Sequence, residues 1–281
     1  MPRWARASKL VRTTPDSLGT TYEFQLKHAP FPFKGAPYKD NTVLVFVPTG
    51  FKAAATVDVV WFFHGNDNTA LSAYGRHKPH HHLARSKKNA ILVAPQAAVM
   101  AHDSRAGKLE TSNGFSRLSL EIFEELASLK VVPEGARSGT VVLSGHSGGF
   151  QPAAKSADIG GVEVHEMYFF DAMYGFSRRV ANWIAGDPNR RFVSWYAGRL
   201  PTKWTTDLQR RLKRKRIDYR DLRRDAELTD DILSGHRLVF IRTQTPHSKV
   251  TQNLERCLRS SRLTDRVPLE TANDSLNAPS R

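Results

Sequence analysis

Short runs of apolar, often β-branched residues, each closed by turn residues, recur along the chain, and stretches of helical period separate most of them. Val43 to Val47 ends at Pro48-Thr49-Gly50, Val57 to Phe63 at His64-Gly65, and Ala90 to Ala94 at Pro95. Thr140 to Leu143 runs into Ser144-Gly145, Val164 to Phe170 ends at Asp171, Phe192 to Tyr196 ends at Ala197-Gly198, and Arg237 to Ile241 comes last. Helical spacing covers roughly Ala70 to Ser86, Ser116 to Leu129, Gly149 to Lys155, Ser177 to Ile184, Thr206 to Lys215 and Ser248 to Leu258. In the second of these, Leu118, Ile122, Leu126 and Leu129 fall on one core-facing stripe. This alternation predicts an α/β fold, with a mostly parallel central sheet covered by helices on both faces. The nearly all-apolar Val57 to Phe63 reads as a central strand, and Thr20 to Lys27 with Val43 to Val47 as antiparallel strands at one edge.

No stretch rich in Gly, Ser or Pro marks a boundary between elements, so one domain is expected over residues 20–263. An N-terminal extension, residues 1–19, precedes it, and a polar, frayed tail, residues 264–281, follows. With 281 residues, 40% of them hydrophobic and 25% charged, the composition excludes the disordered and membrane classes. There is neither a signal-peptide core nor a run able to span a bilayer, which points to the cytoplasm. Cys257 stands alone, so an intrachain disulfide and a thiolate zinc site are excluded, and packing on the last helix is its expected role. His77, His80, His81 and His82 match no zinc spacing, and Pro79 interrupts any shared helical face. They read as an exposed polar turn.

The net charge of +15 favours polyanionic partners, and much of it is local. Between Arg199 and Arg224 lie eleven Lys or Arg against Asp207, Asp218 and Asp221. Two readings stand for this stretch: a solvated helix face, or a weak polyanion-binding surface. Trp204 and Tyr219 are its only aromatics, and it carries no nucleic-acid reading motif.

The chemistry concentrates at Gly145-His146-Ser147-Gly148-Gly149, entered from Thr140-Val141-Val142-Leu143 and left through a helical stretch. A serine raised on so tight a turn needs small residues two positions to either side, since side chains there collide with the neighbouring strand and helix. The spacing fits neither a dinucleotide-binding turn nor a P-loop. Strand, sharp turn and helix around this motif resemble the nucleophile elbow of the α/β-hydrolase superfamily of serine hydrolases. His64-Gly65, at the end of the third main strand, is similar to that family's oxyanion loop, although Asn66 and Asp67 stand where lipases carry glycines. The resemblance covers roughly residues 57–250. It implies Ser147 as nucleophile, with oxyanion donors at the backbone N–H of Gly148 and Asn66, and Gly65 letting the chain turn.

In that family the catalytic order is Ser, then Asp or Glu, then a histidine near the C-terminus, which leaves His64 a structural role. His247 follows the last predicted strand and so takes the place of the base, whereas His236 precedes that strand and falls at the wrong end of the sheet. Two acids remain open. Asp171 directly closes the strand after the nucleophile, where an ionised group needs a purpose. Asp207 lies one strand later, nearer the usual family position, but also reads as a helix N-terminal acid beside the capping residues Thr205 and Thr206. Asp171 is preferred. The implied chemistry is acyl transfer through an acyl-enzyme, with no metal or organic cofactor required.

Only residues 171–191 separate two predicted strands, which leaves no room for a lid domain. An open site of this kind suits bulky or polymeric acyl substrates, as in the cutinase-like, polyester-depolymerase-like and feruloyl-esterase-like branches, among which the sequence does not choose, so the expected partner is a small-molecule or polymeric ester. Phe115, Phe150, Tyr168, Tyr174 and Trp204 are candidates to line an acyl pocket, most of them expected in the core. The alternatives are an amidase or acyltransferase with the same triad, or a non-catalytic relative that binds a polyanion through Arg199 to Arg224.

Overall fold

The apolar runs assemble into one ten-stranded sheet in a computed structural model that describes residues 8–267. In chain order the strands are β1 (Lys9–Asp16), β2 (Gly19–Gln25), β3 (Thr42–Pro48), β4 (Thr56–Phe63), β5 (Ala90–Pro95), β6 (Arg137–His146), β7 (Glu166–Phe170), β8 (Arg191–Tyr196), β9 (Arg220–Leu222) and β10 (Leu238–Arg242). Across the sheet they lie in the order β1-β2-β3-β5-β4-β6-β7-β8-β10-β9. The pairs β1·β2, β2·β3 and β3·β5 are antiparallel, and every pair from β5·β4 to β10·β9 is parallel. Parallel neighbours need crossovers, and seven of the eight α-helices among the described residues supply them, the last one following β10.

Alternation of side chains along the central strands decides which helices pack on which face. Val59, Trp61 and Phe63 of β4 point into the core shared with α3 (Gly114–Ser128), α4 (Phe150–Ile159), α5 (Ser177–Gly186) and α6 (Arg199–Arg214). Val60 and Phe62 point the other way, towards α1 (Ala70–His77), α2 (Pro79–Ser86), α7 (Asp230–Gly235) and α8 (Leu254–Arg259). Between β7 and β8 the chain holds only α5 and its short connections, with no lid. No helix among the described residues is long and apolar enough to cross a membrane.

Several expectations need correction. Residues 9–16, read as part of an extension, form edge strand β1; it is polar, contains Pro15 and packs little, which is why it lacks a periodic signal. The two-residue turn into β2 is fastened by Asp16 Oδ1, which accepts from the N–H groups of Leu18 (2.7 Å) and Gly19 (3.0 Å). At the other end, residues 264–266 are not frayed. The buried Asp58 carboxylate in β4 accepts from Thr140 N–H and Thr264 N–H, both at 2.7 Å, and Lys88 pairs with Asp265 at 2.7 Å. Residues 1–7 and 268–281 of the expected extension and tail lie outside the described residues.

The helix expected over Ala70 to Ser86 is two, because Lys78 takes a left-handed conformation (φ +46°) and Pro79 starts α2 with no N–H to donate backwards. That break turns the histidines inward. His77 and His80 are buried and His81 and His82 half-buried, so the four do not form an exposed turn. Helix α6 begins at Arg199, seven residues before the expected start, since Pro201 falls in the first turn where a missing N–H is no loss. Cys257 is buried on α8.

Candidate active site

Four parallel strands end side by side at the upper edge of the sheet. His146 of β6 pairs with Phe170 of β7, Phe170 with Trp195 of β8, and Tyr196 with Arg242 of β10. The next row up therefore reads Ser147, Asp171, Tyr196, Arg242 across adjacent strands. Ser147 and Asp171 are both non-glycine residues at positive φ, +53° and +47°. Such backbone strain, about 1–3 kcal/mol each, persists only where the surroundings enforce it, and it turns both side chains out of their strands.

At Ser147 the enforcement comes from glycines. A Cβ on Gly145 would stand 2.8 Å from the Gly149 carbonyl oxygen, and one on Gly149 would overlap the carbonyl of Phe63 in β4. A Cβ on Gly65 would come within 2.7 Å of the Ser147 Cβ. The motif thus packs α4 tightly under β4 while the serine stays half-exposed.

At Asp171 both carboxylate oxygens are engaged. Oδ1 accepts from Ala197 N–H at 2.9 Å, and Oδ2 accepts from His247 Nδ1 at 2.6 Å. The aspartate side chain is 7% exposed and the histidine 44%, so an ionised group at a core edge faces a partner that reaches solvent. Donation from Nδ1 leaves the lone pair of His247 on Nε2, the tautomer a general base needs. No hydrogen bond joins Ser147 Oγ to His247 among the described contacts. The two are tied through His146, whose Nε2 donates to the His247 carbonyl at 2.9 Å and whose ring lies 4.5 Å from that of His247. His77 packs on the far side of His146 at 4.5 Å. Burial first, with the neighbouring imidazoles, holds His146 down to about 3 and His77 to about 4, so both rings are neutral supports.

The loop after β4 carries Gly65, Asn66 and Asp67 and is laced to the loop after β5. Asp67 N–H donates to Ala101 O (2.8 Å), Asn66 Nδ2 to His102 O (2.6 Å), and Ser104 Oγ to Asn66 Oδ1 (2.9 Å). Asn66 Oδ1 fills the space where a Cβ on Gly148 would be, so Gly148 and Asn66 adjoin across the mouth of the elbow. His64 cannot act on a substrate. It donates from Nδ1 to Gly65 O (2.8 Å) and accepts at Nε2 from Ala97 N–H (3.0 Å), and burial holds it neutral.

Asp207 is elsewhere. It sits in the third turn of α6, not at a helix start, with Thr205 and Thr206 also inside the helix. Its carboxylate accepts from Ser177 Oγ (2.5 Å) and Arg211 Nε (2.7 Å), and those bonds lower its pKa. Of the aromatic candidates, Phe115 and Tyr168 are wholly buried, whereas Phe150, Tyr174 and Trp204 are half-buried. Phe150, three residues past Ser147, packs with Tyr174 (6.3 Å between ring centres) and Phe176 (5.6 Å), making an aromatic wall beside the row. Burial, followed by the Asp171 charge, raises the Tyr174 hydroxyl to about 12. The histidine cluster around α2 brings no metal ligands together: among the described residues no group of three or more His, Cys, Asp or Glu converges on one point.

No family model matches the sequence, and no curated protein matches it. Solved structures do match by shape. A feruloyl esterase module from Clostridium thermocellum, complexed with sinapinate, superposes with a TM-score of 0.55 at 12% identity, covering 91% of this chain and 94% of that one. An S-formylglutathione hydrolase from Agrobacterium tumefaciens gives 0.54 at 12% identity, over 91% and 99%. A fluorophosphonate-binding serine hydrolase from Staphylococcus aureus gives 0.50 at 9% identity, over 90% and 98%. At these identities the likeness concerns the fold. The chain has the α/β-hydrolase fold.

Proposed function

We propose that the chain is a carboxylic ester hydrolase in which Ser147 is the nucleophile, His247 the general base, Asp171 the acid of the triad, and the N–H groups of Gly148 and Asn66 the oxyanion donors. The observation that carries this reading is the 2.6 Å pair between His247 Nδ1 and Asp171, set one row above the strand ends beside a serine at positive φ. His247 Nε2 takes the Ser147 proton as Oγ attacks the ester carbonyl, and Asp171 stabilises the imidazolium that results. The carbonyl oxygen, now negative, turns into the mouth between Gly148 and Asn66, where fixed N–H dipoles lower the barrier. His247 returns its proton to the departing alcohol. Water then repeats the sequence on the acyl-enzyme and releases the acid.

The half-buried wall of Phe150, Tyr174 and Phe176 suits a flat or aliphatic acyl group. A feruloyl esterase among the structural neighbours supports an ester in place of an amide, by fold analogy only. Its test is turnover of p-nitrophenyl esters of graded chain length beside an anilide, by wild type, Asp171→Asn and Asp207→Asn. Asp171→Asn is expected to lower kcat by about 10³–10⁴-fold, because the amide favours the wrong imidazole tautomer. Asp207→Asn is expected to stay within about twofold, as a surface change away from the site. Equal, mild losses in both variants contradict the assignment, and faster turnover of the anilide points to an amidase.

A further inference from the structure

The row that holds Ser147 and Asp171 continues across the sheet into a different kind of chemistry. Tyr196 of β8 pairs with Arg242 of β10, and Ile241 with Leu222 of β9, which brings Arg223 level with Arg242 one strand further out. At about 4.8 Å per strand, the backbone of Arg242 stands ~10 Å from that of Asp171, and Arg223 ~14 Å. Arg242, Arg223, Arg199 and Lys203 are all exposed and none has an acid partner among the described ion pairs. From this rim, α6 runs down the sheet for 16 residues, ~24 Å, to the exposed and likewise unpaired run from Lys213 to Arg216. Of the acids nearby, Asp207 is held by Arg210 and Arg211, Asp221 accepts from Gln209 and Glu227 pairs with Arg224. That leaves the exposed Asp218 as the one acid of the stretch with neither an ion pair nor a side-chain hydrogen bond among the described residues.

A cationic track that begins three strands from the reacting serine, two from Asp171, and extends ~24 Å is longer than any single small anion needs. It fits a chain of regularly spaced negative charges, with the scissile ester lying at one end of the track. The aromatics argue against nucleic acid: Trp204 is half-buried beside Lys203, and Tyr219 packs edge-on against Phe240 at 5.2 Å, so neither offers a free face for a base. A polymer that bears carboxylic esters also needs many hydroxyls to acylate. We propose that the substrate of this site is an esterified polyuronate, a polysaccharide with a carboxylate on its sugar units, whose anionic chain is held along Arg242, Arg223, Lys203 and α6. This rests on the ester-hydrolase reading of Ser147.

The test compares acetylated polygalacturonate with acetylated xylan as a neutral counterpart, with p-nitrophenyl acetate as a small reference ester. At about 20 mM salt, KM per ester group for the polyuronate is expected to lie about tenfold below that for xylan, the gap closing by about 300 mM as screening sets in. In the triple variant Lys203→Gln, Arg223→Gln, Arg242→Gln, the ratio of kcat/KM on the polyuronate to that on p-nitrophenyl acetate is expected to fall about tenfold. Equal KM for the two polymers at low salt overturns the proposal. If wild type leaves p-nitrophenyl acetate untouched, the ester reading itself has failed, and retention on immobilised, unesterified polygalacturonate then decides the track separately. Salt-labile retention that the triple variant loses supports it. Absence of retention, or displacement by duplex DNA at a lower charge concentration than by free polygalacturonate, overturns it.

Discussion

Asp171 and Ser147 are each bent out of their strands, and His247 is the residue that joins them only if its own loop is held. That holding falls to His146. Its Nε2 donates to the His247 carbonyl while its ring is packed between those of His77 and His247. His146→Phe keeps a ring in the stack and removes the donor. Leaving one carbonyl unpartnered costs about 1 kcal/mol, so kcat is expected to fall about fivefold to tenfold, with KM unchanged because no substrate contact is lost. Steady-state kinetics on one p-nitrophenyl ester check this, and an unchanged kcat contradicts it. The positions of Ser147 and His247 after their strands were legible in the sequence because the order of strands and motif placed them. Asp171 was preferred there with Asp207 left open, since the course of the chain after β8, which carries Asp207 into the third turn of α6, was not legible. His146 was invisible as a support, because its partner arrives 101 residues later.

Among the elements, the paired helices α1 and α2 carry a consequence for pH. His80 stacks on Tyr74 with ring centres 4.0 Å apart and meets Phe46 edge-on, and burial holds its pKa at about 4. A histidine kept neutral in the folded state binds a proton only when the chain unfolds. The unfolded chain therefore holds more protons between the ordinary histidine value of 6.5 and about 4, and stability falls as pH drops through that window. His77, which burial likewise holds at about 4, adds to the slope. His80→Phe keeps the stacked ring and removes the titration. Thermal melts from pH 7 to about pH 4 are expected to fall less steeply for the variant than for wild type, and parallel curves contradict this. The α1–α2 pair also shows why part of the fold was unreadable. Helical periodicity ran straight through Lys78, whose left-handed turn follows from the packing on either side. Strands β1 and β9 and helix α7 are short or exposed and carry little apolar alternation, whereas buried strands such as β4 announced themselves.

In the whole molecule, the lower edge of the sheet is closed by the C-terminal strap while the upper edge stays open for chemistry. Thr264 and Asp265 fasten to Asp58 and Lys88, and Arg266 donates to the carbonyls of Thr49 (2.9 Å) and Ala84 (2.7 Å), joining β4 to the chain around β5. Truncation after Leu263 strips one donor from a buried carboxylate, a loss of about 1–3 kcal/mol, and a melting temperature lower by about 5 °C is expected. An unchanged melting temperature contradicts the strap. At the open edge everything proposed for the site depends on Ser147 being an activated nucleophile. The direct measurement is the intact mass of the folded protein after exposure to a fluorophosphonate. One phosphonyl adduct is expected, mapped to Ser147 and absent from Ser147→Ala, with slower labelling in Asp171→Asn. A folded wild type that gains no adduct, or gains it equally in Ser147→Ala, contradicts the account.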